Sequence, residues 1–193
     1  MDHTQPDVAL TVAGSDSGGG AGIQADLKTM EAFGVFGTSA ITSLTAQNST
    51  GVRGVEDVSS GFVADQIDAV VEDFDVDAVK TGMLSSAETV RVVADKIDEH
   101  ELRAVVDPVM IAQSGDRLLS EDAEEVVREE LVPRAALVTP NAPEAEKLTG
   151  ISVGSPETMA DAATALVEQG ADAALVTGGH VEDERVVDVL ADS

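Results

Sequence analysis

The sequence contains 193 residues, of which 37 are acidic and 11 are basic, and its formal net charge at pH 7 is −26. A surface this acidic repels nucleic-acid phosphates and anionic lipids, so neither nucleic acid nor a membrane is expected as a partner. The absence of cysteine excludes disulfides and thiolate chemistry, and the hydrophobic content of 43% indicates a globular protein.

The acidic residues are scattered along the chain, as in EDFDVD, SEDAEEVVREE and VEDERVVD. Scattered acid with few lysines is typical of adaptation to high salt, where counterions screen the repulsion. We therefore predict a halophilic source in preference to a cationic partner. Because the sequence shows no signal peptide and no apolar run of about 20 residues, we expect a cytoplasmic protein.

Apolar runs alternate with amphipathic stretches in chain order. The run VALTVA at 8–13 predicts a buried strand, and apolar residues at Ile23, Leu27, Met30 and Phe33 have helical spacing. The same patterns predict further strands at 38–46, 78–82, 104–108, 136–139 and 173–177. They also predict helices at 23–33, 61–74, 87–97, 120–131 and 156–168, the last two with Ser120 and Ser155 as N-caps.

Strands that alternate with helices and consist of continuous apolar runs belong to a parallel sheet covered on both faces. The pattern therefore predicts one α/β domain with a mostly parallel central sheet and no linker or internal repeat. Aromatic residues make up only 2% of the sequence, so the core must consist of Ala, Val, Leu and Ile.

Polar and glycine-rich segments follow the predicted strands. In open parallel sheets, ligands bind beyond the carboxyl ends of the strands, so these segments should meet at one edge of the sheet. They read, in chain order, GSDSGGGAG, TAQNS, TGML, DPVM, TPNAPE and TGGH. A binding site built from many loops is expected there.

The glycine loop after the first strand matches neither a P-loop nor a dinucleotide-binding fingerprint. It is either a flexible turn into the following helix or a place where the backbone approaches a ligand closely. Asp26, about one turn into that helix, is either an ordinary first-turn acid or an acceptor for a ligand hydroxyl or amino group.

Asp107 lies at a strand end, where a carboxylate can bind a metal ion or a phosphate-bound magnesium. Asn141 and Glu144, three residues apart at a predicted helix start, can hold a hydrated Mg²⁺. The NAPE segment alone is better explained by a helix cap and a first-turn acid. Together with Asp107, it favours phosphoryl transfer, which depends on positioning and charge neutralisation.

Met83 and Met110 follow two strands, and methionine is usually a core filler. Two methionines at one edge of the sheet can also form the wall of a pocket for a flat apolar ligand. Gln47 could bind the edge of a heteroaromatic ring through its amide, and His180 is a weak candidate for a phosphate contact.

Taken together, the segments AGSDSGGGAGIQADLKT, TSLTAQNSTGV, KTGML, VVDPVM with QSGDRLL, TPNAPEAEKL and TGGH appear in order. This series closely resembles the hydroxymethylpyrimidine/phosphomethylpyrimidine kinases of thiamine biosynthesis, members of the ribokinase-like superfamily. The resemblance covers nearly the whole chain. It implies a ribokinase-like fold and two successive phosphoryl transfers from ATP, first to hydroxymethylpyrimidine (HMP) and then to its monophosphate.

The resemblance also implies roles for individual residues. Asp26 and Gln47 would hydrogen-bond the amino and nitrogen edge of the pyrimidine, and the ring would lie against the glycine loop. The pyrimidine pocket would be lined by Gly14, Asp26, Gln47, Met83 and Val109. Mg-ATP would be bound by Asp107, Asn141, Glu144, Thr177 and Gly179, with Asp107 and Glu144 serving the Mg²⁺. Family members often pair as dimers, so a homodimer is expected.

Two features depart from the family pattern. Many relatives have a lysine where this chain has Thr177, so magnesium, backbone dipoles or another cation must meet the phosphate charge here. The family also continues into a G-T-G-C or G-T-G-D loop, which supplies the anion hole and the residue beside the reacting hydroxyl. No such motif occurs in residues 1–193, so we expect a single kinase domain that is incomplete at its C-terminal end, with the catalytic residue outside this sequence.

Two alternatives remain at the sequence level. A pyridoxal or pyridoxine kinase would have the same fold and magnesium site. A non-catalytic pyrimidine-binding domain would explain the missing loop.

Overall fold

The computed structural model describes residues 6–110, 119–179 and 186–193. Seven strands form one sheet in the order β2-β1-β5-β6-β7-β8-β9. All neighbours in this sheet are parallel except β8 and β9, and β3 and β4 form a separate antiparallel hairpin. The strands are β1 (Val8–Ala13), β2 (Phe36–Ile41), β3 (Ser43–Asn48), β4 (Gly51–Asp57), β5 (Ala78–Thr81), β6 (Ala104–Val106), β7 (Ala135–Val138), β8 (Ala173–Val176) and β9 (Val189–Asp192).

Helices connect most of the parallel strands. They are α1 (Gly22–Ala32), α2 (Ser60–Val71), α3 (Ala87–Glu99), α4 (Glu121–Val126), α5 (Ala142–Thr149) and α6 (Pro156–Glu168). The chain passes from β1 to its neighbour β2 and then back across β1 to β5. Because such crossovers are nearly always right-handed, this reversal places α1 and α2 on opposite faces of the sheet. The predicted α/β architecture with a mostly parallel central sheet is confirmed.

The core is a continuous cluster of aliphatic side chains between the sheet and the helices, as the low aromatic content predicts. Leu10, Val12 and Val79 in the sheet are at most 1% exposed, as are Val90 and Leu166 in the helices. None of the described helices is long and apolar enough to cross a membrane. The predicted cytoplasmic location stays a prediction.

Several predicted boundaries differ from the structure. The single strand expected at 38–46 is two strands in different sheets, because the chain leaves the main sheet at Thr42. The helix expected at 120–131 is α-helical only to Val126; a π-helical turn, Val127–Leu131, and a 3₁₀ turn, Val132–Arg134, follow. Pro133 has no backbone N–H, and its ring would clash in a helix interior. The helical segment therefore cannot continue through Pro133 as an α-helix.

Candidate active site

A cavity of about 350 Å³ opens beyond the carboxyl ends of β1, β5 and β6. This is the point where the strand order reverses, which is where open α/β sheets bind their ligands. All five residues predicted to bind the pyrimidine line this cavity, and so does Asp107. The lining consists of Ala13, Gly14, Ser15, Asp16, Ala21, Gly22, Ala25, Asp26, Thr45, Gln47, Lys80, Gly82, Met83, Asp107 and Val109.

The glycine loop is organised by one carboxylate, that of Asp16. Its two oxygens accept hydrogen bonds from the backbone N–H groups of Gly18 (2.7 Å), Gly20 (2.9 Å) and Ala21 (2.9 Å). Burial raises the pKa of Asp16, but these backbone bonds outweigh it and hold the pKa below its ordinary value. The loop is therefore a structured turn whose amides at the start of α1 bind the chain's own carboxylate.

Two glycines of this loop lie at closely packed positions. A Cβ on Gly14 would lie 2.6 Å from Met83 Cε and 2.7 Å from Ser43 Oγ. Gly22 has a φ of +55°, and a Cβ there would overlap the carbonyl oxygen of Gly14. Both glycines thus let α1 and β3 approach the end of β1, and this approach shapes the wall of the cavity.

Asp26 is held from two neighbouring strands. Thr11 Oγ1 on β1 donates a 2.6 Å hydrogen bond to Asp26 Oδ2, and the Lys80 ammonium on β5 lies 3.2 Å from Asp26 Oδ1. The same Lys80 nitrogen lies 3.2 Å from Asp107 Oδ2. Burial raises the pKa of Asp107, Lys80 opposes the rise, and the negative charge of Asp26 adds to it.

Gln47 reaches the cavity from the hairpin, near a register shift between Ala46 and Gln47 in β3. Its backbone N–H donates to Ser17 Oγ (2.8 Å), and that hydroxyl donates to the Gln47 carbonyl (2.7 Å). The hairpin is therefore bound to the glycine loop, and Gln47 contributes to the lining of the cavity.

Asn141 and Glu144 form a reciprocal cap at the start of α5. Asn141 Oδ1 accepts from the Glu144 N–H, and Glu144 Oε2 accepts from the Asn141 N–H, both at 3.0 Å. Glu144 is 6% exposed, and its Oε1 also accepts from the Met110 N–H at 3.3 Å. The helix-cap interpretation of the NAPE segment is confirmed, and Glu144 additionally fixes the loop that carries Asp107.

The remaining predicted nucleotide residues follow β8. The Thr177 N–H donates to the Pro140 carbonyl at 2.9 Å, which places it beside Asn141. Gly179 is exposed, and His180 and residues 113–118 of the QSGDRLL segment lie outside the described residues. Asn141, Glu144, Thr177 and Gly179 do not line the cavity that holds Asp26 and Asp107. Met110 does not line it either; it is fully buried in the core, so the core-filler interpretation is correct for this residue.

Sequence reasoning missed three residues of this site: Thr11, Asp16 and Lys80. Thr11 and Lys80 lie inside strands that were interpreted only as apolar runs. A lysine within the short AVKT strand was a usable signal, because a charge shielded from water requires a partner. Asp16 could have been found from the DSGGG pattern, since aspartate commonly accepts bonds from the backbone of a following turn.

Comparison with known proteins decides the family. Residues 16–193 match the phosphomethylpyrimidine kinase family. The chain belongs to that family. It is 53% identical over 186 residues to the hydroxymethylpyrimidine/phosphomethylpyrimidine kinase of Rhizobium meliloti, covering 96% of this chain and 70% of that protein. The thiamine biosynthesis bifunctional protein ThiED of Geobacter sulfurreducens is 54% identical over 184 residues, which are 95% of this chain and 38% of the longer relative.

Solved structures agree with the fold. The crystal structure of phosphomethylpyrimidine kinase from Clostridium difficile superposes with a TM-score of 0.90 at 44% identity, covering 96% of this chain and 80% of that one. An ADP complex of pyridoxal kinase from Bacillus subtilis superposes with a TM-score of 0.87 at 36% identity, covering 97% and 71%. Both superpositions confirm the ribokinase-like fold.

The comparisons confirm the predicted family and its phosphotransferase chemistry. They support the thiamine-pathway kinase over the pyridoxal kinase alternative, and membership of a kinase family implies the use of ATP. The halophilic source, the homodimer and the continuation of the domain beyond residue 193 stay predictions.

Proposed function

We propose that the protein transfers the γ-phosphoryl group of ATP to HMP and then to the resulting monophosphate. The observation that carries this proposal is that one cavity is lined by five residues from four separate segments, namely Gly14, Asp26, Gln47, Met83 and Val109. Asp107, the predicted nucleotide-side carboxylate, lines the same cavity. A ring bound there would lie beside the group that serves the phosphates, as phosphoryl transfer requires.

In this assignment the two polar side chains set the orientation of the ring. Asp26 accepts a hydrogen bond from the ring amino group, and the Gln47 amide offers both a donor and an acceptor to the ring nitrogens. Met83 and Val109 supply the apolar surface against the ring. Because the Asp26 side chain is only 17% exposed, a ring without a matching donor would forgo a hydrogen bond to a partly shielded, charged acceptor.

The nucleotide side is assigned to Asp107, Asn141, Glu144, Thr177 and Gly179. Their carboxylate and amide oxygens fit Mg²⁺, which prefers oxygen ligands. When bound with ATP, Mg²⁺ neutralises charge on the phosphates. Asp107, 33% exposed, is proposed to face the metal directly. Glu144 fixes Met110 and the Asp107 loop, and its service to the Mg²⁺ is part of the same proposal.

The test is an assay of the protein with Mg-ATP in concentrated KCl, with HMP, its monophosphate and pyridoxal as separate substrates. Phosphorylated products are identified by mass spectrometry. We expect the highest kcat/KM with the two pyrimidines. Turnover of pyridoxal alone would establish the alternative kinase, and tight pyrimidine binding without turnover would establish a binding domain.

Asp26→Asn tests the assignment of the ring contact. It should lower kcat/KM for HMP by about 10- to 100-fold, because a charged acceptor is replaced by a neutral amide. Glu31→Gln is the matched control, since Glu31 is an exposed acid on the same helix. Equal effects of the two substitutions would contradict the assignment.

A further inference from the structure

Lys80 provides the ammonium that joins the two sides of the site. Its nitrogen lies 3.2 Å from Asp26 Oδ1 and 3.2 Å from Asp107 Oδ2. The Lys80 side chain is 26% exposed, so these contacts are partly shielded from water and from screening salt. Lys80 is the only basic side chain among the described residues that line the cavity.

The three charged groups make an uneven arrangement. Two carboxylates share one ammonium, which leaves a net charge of −1 on the group. Asp26 has a second fixed donor, the Thr11 hydroxyl at 2.6 Å, whereas the Asp107 carboxylate pairs only with Lys80 among the described residues. Lys80 therefore helps to fix the orientation of Asp26, and it neutralises part of the charge of Asp107.

We propose that Lys80 is a positioning residue with two opposite effects: it fixes Asp26 for the pyrimidine ring and competes with the divalent cation for Asp107. The first effect, on the pyrimidine ring, rests on the proposed function. The competition with a cation rests only on the contacts between Lys80 and the two carboxylates.

The two effects separate this role from a merely structural one. Removal of the ammonium leaves Asp26 Oδ1 without its fixed donor, although Thr11 still holds Oδ2, and leaves two neighbouring carboxylates with a net charge of −2. Pyrimidine binding should then weaken, while binding of a divalent cation should tighten. A general disruption of the pocket would weaken both ligands together.

The first measurement is calorimetric binding of HMP to the protein in EDTA, without nucleotide. Lys80→Met should raise the dissociation constant by about 10- to 100-fold, the loss expected for hydrogen bonds to a charged group that is no longer held in place. Lys80→Arg should restore part of the affinity. Lys96→Met is the matched control, because Lys96 is a shielded lysine between Asp68 and Glu99 and does not line the cavity. The HMP affinity of this variant should stay within about twofold of the parent.

The second measurement is binding of Mn²⁺ alone, counted as free Mn²⁺ by electron paramagnetic resonance. Lys80→Met should bind one Mn²⁺ about three- to tenfold more tightly than the parent, because a competing positive charge about 3 Å from the carboxylate is gone. Adding Asp107→Asn to Lys80→Met should abolish the gain. Arg91→Met removes the same charge from the more exposed pair with Glu130 and should leave Mn²⁺ affinity unchanged.

The outcomes are distinguishable. Weaker HMP and tighter Mn²⁺ in Lys80→Met support the proposal, and loss of both, or unchanged HMP affinity, overturns it. If Lys80→Met does not fold, as judged by circular dichroism, Lys80→Gln replaces it with a neutral side chain that still hydrogen-bonds, under the same criteria. If the parent itself binds no HMP, the proposed function fails, and the Mn²⁺ comparison alone decides whether Lys80 competes for Asp107.

Discussion

Asp16 shows how one side chain can determine the shape of a glycine-rich loop. Three backbone N–H groups of the loop donate to its carboxylate, and the Asp16 N–H in turn donates to Gln24 Oε1 at 2.7 Å. Glycine has the largest conformational freedom of any residue, so a run of glycines needs such a fixed acceptor to adopt one shape. The loop can then form a wall of the cavity.

Asp16→Asn should lower the free energy of unfolding at pH 7 by about 1.5–3 kcal/mol, because charge-assisted hydrogen bonds are replaced by weaker ones. The depressed pKa of Asp16 gives the pH dependence. Its contribution is complete above the unfolded value of about 3.9 and is lost as the pH falls through the lower folded value.

Urea unfolding at several pH values measures this effect. The difference between parent and Asp16→Asn should shrink as the pH is lowered below about 4. Asp65→Asn, an exposed acid on α2, is the control and should change stability by less than about 0.5 kcal/mol. A difference that stays constant down to low pH would show that the Asp16 charge is not involved.

At the scale of the element, the sequence predicted where helices begin better than it predicted which strands pair with each other. The predicted N-cap of α6 is confirmed: Ser155 Oγ accepts from the Thr158 N–H, and the Thr158 hydroxyl lies 3.0 Å from the Ser155 N–H in return. Ser120 occupies the corresponding position before α4, but its side chain accepts no capping bond from the helix. The residue type predicts where a helix begins, whereas the side-chain rotamer decides whether the cap forms.

This contrast gives a prediction for the two serines. Ser155→Ala should destabilise the protein by about 1 kcal/mol, since it removes a capping acceptor from α6. Ser120→Ala should cost only a few tenths of a kcal/mol, because no capping bond is lost. Equal losses in urea unfolding of the two variants would contradict this difference.

The missed strands have a common cause. β4 is largely exposed and contains glycine and charged residues, so its sequence carries no buried-strand pattern. Its strand structure depends on pairing with β3, and the antiparallel edge strand β9 likewise depends on pairing with β8. Such pairings are not encoded in the periodicity of one segment.

At the scale of the molecule, the net charge of −26 is the dominant electrostatic feature. Like charges on a compact surface repel each other and destabilise the folded state. Salt shortens the Debye length from about 10 Å at 0.1 M to about 3 Å at 1 M and so screens this repulsion.

We therefore predict that the melting temperature rises between about 0.1 M and 2 M KCl by at least about 4 °C, which corresponds to about 1–2 kcal/mol for a chain of this length. Differential scanning calorimetry measures the rise. Sorbitol at the same osmolality should produce a smaller shift, because it does not screen charge. A flat or falling profile in KCl would show that charge repulsion does not limit stability.

The sequence alone determined the fold class, most of the parallel strands, the aliphatic core and the family. These features follow from local patterns: the alternation of apolar runs with helical periods, and motifs that lie within a few consecutive residues. The five residues predicted to bind the pyrimidine came from the family resemblance, because each belongs to a short segment that matches a family motif, and their role stays a prediction.

Only the tertiary structure decided which of those segments meet. The sheet order places β1 beside β5 and β5 beside β6. As a result, the Lys80 nitrogen lies 3.2 Å from a carboxylate oxygen of Asp26 and 3.2 Å from one of Asp107, although the three residues are far apart in the chain. It also assigned Met110 to the core and the Asn141–Glu144 pair to a helix cap. The physical reason is that charge pairing and packing depend on distance in space, which periodicity within a single segment does not specify.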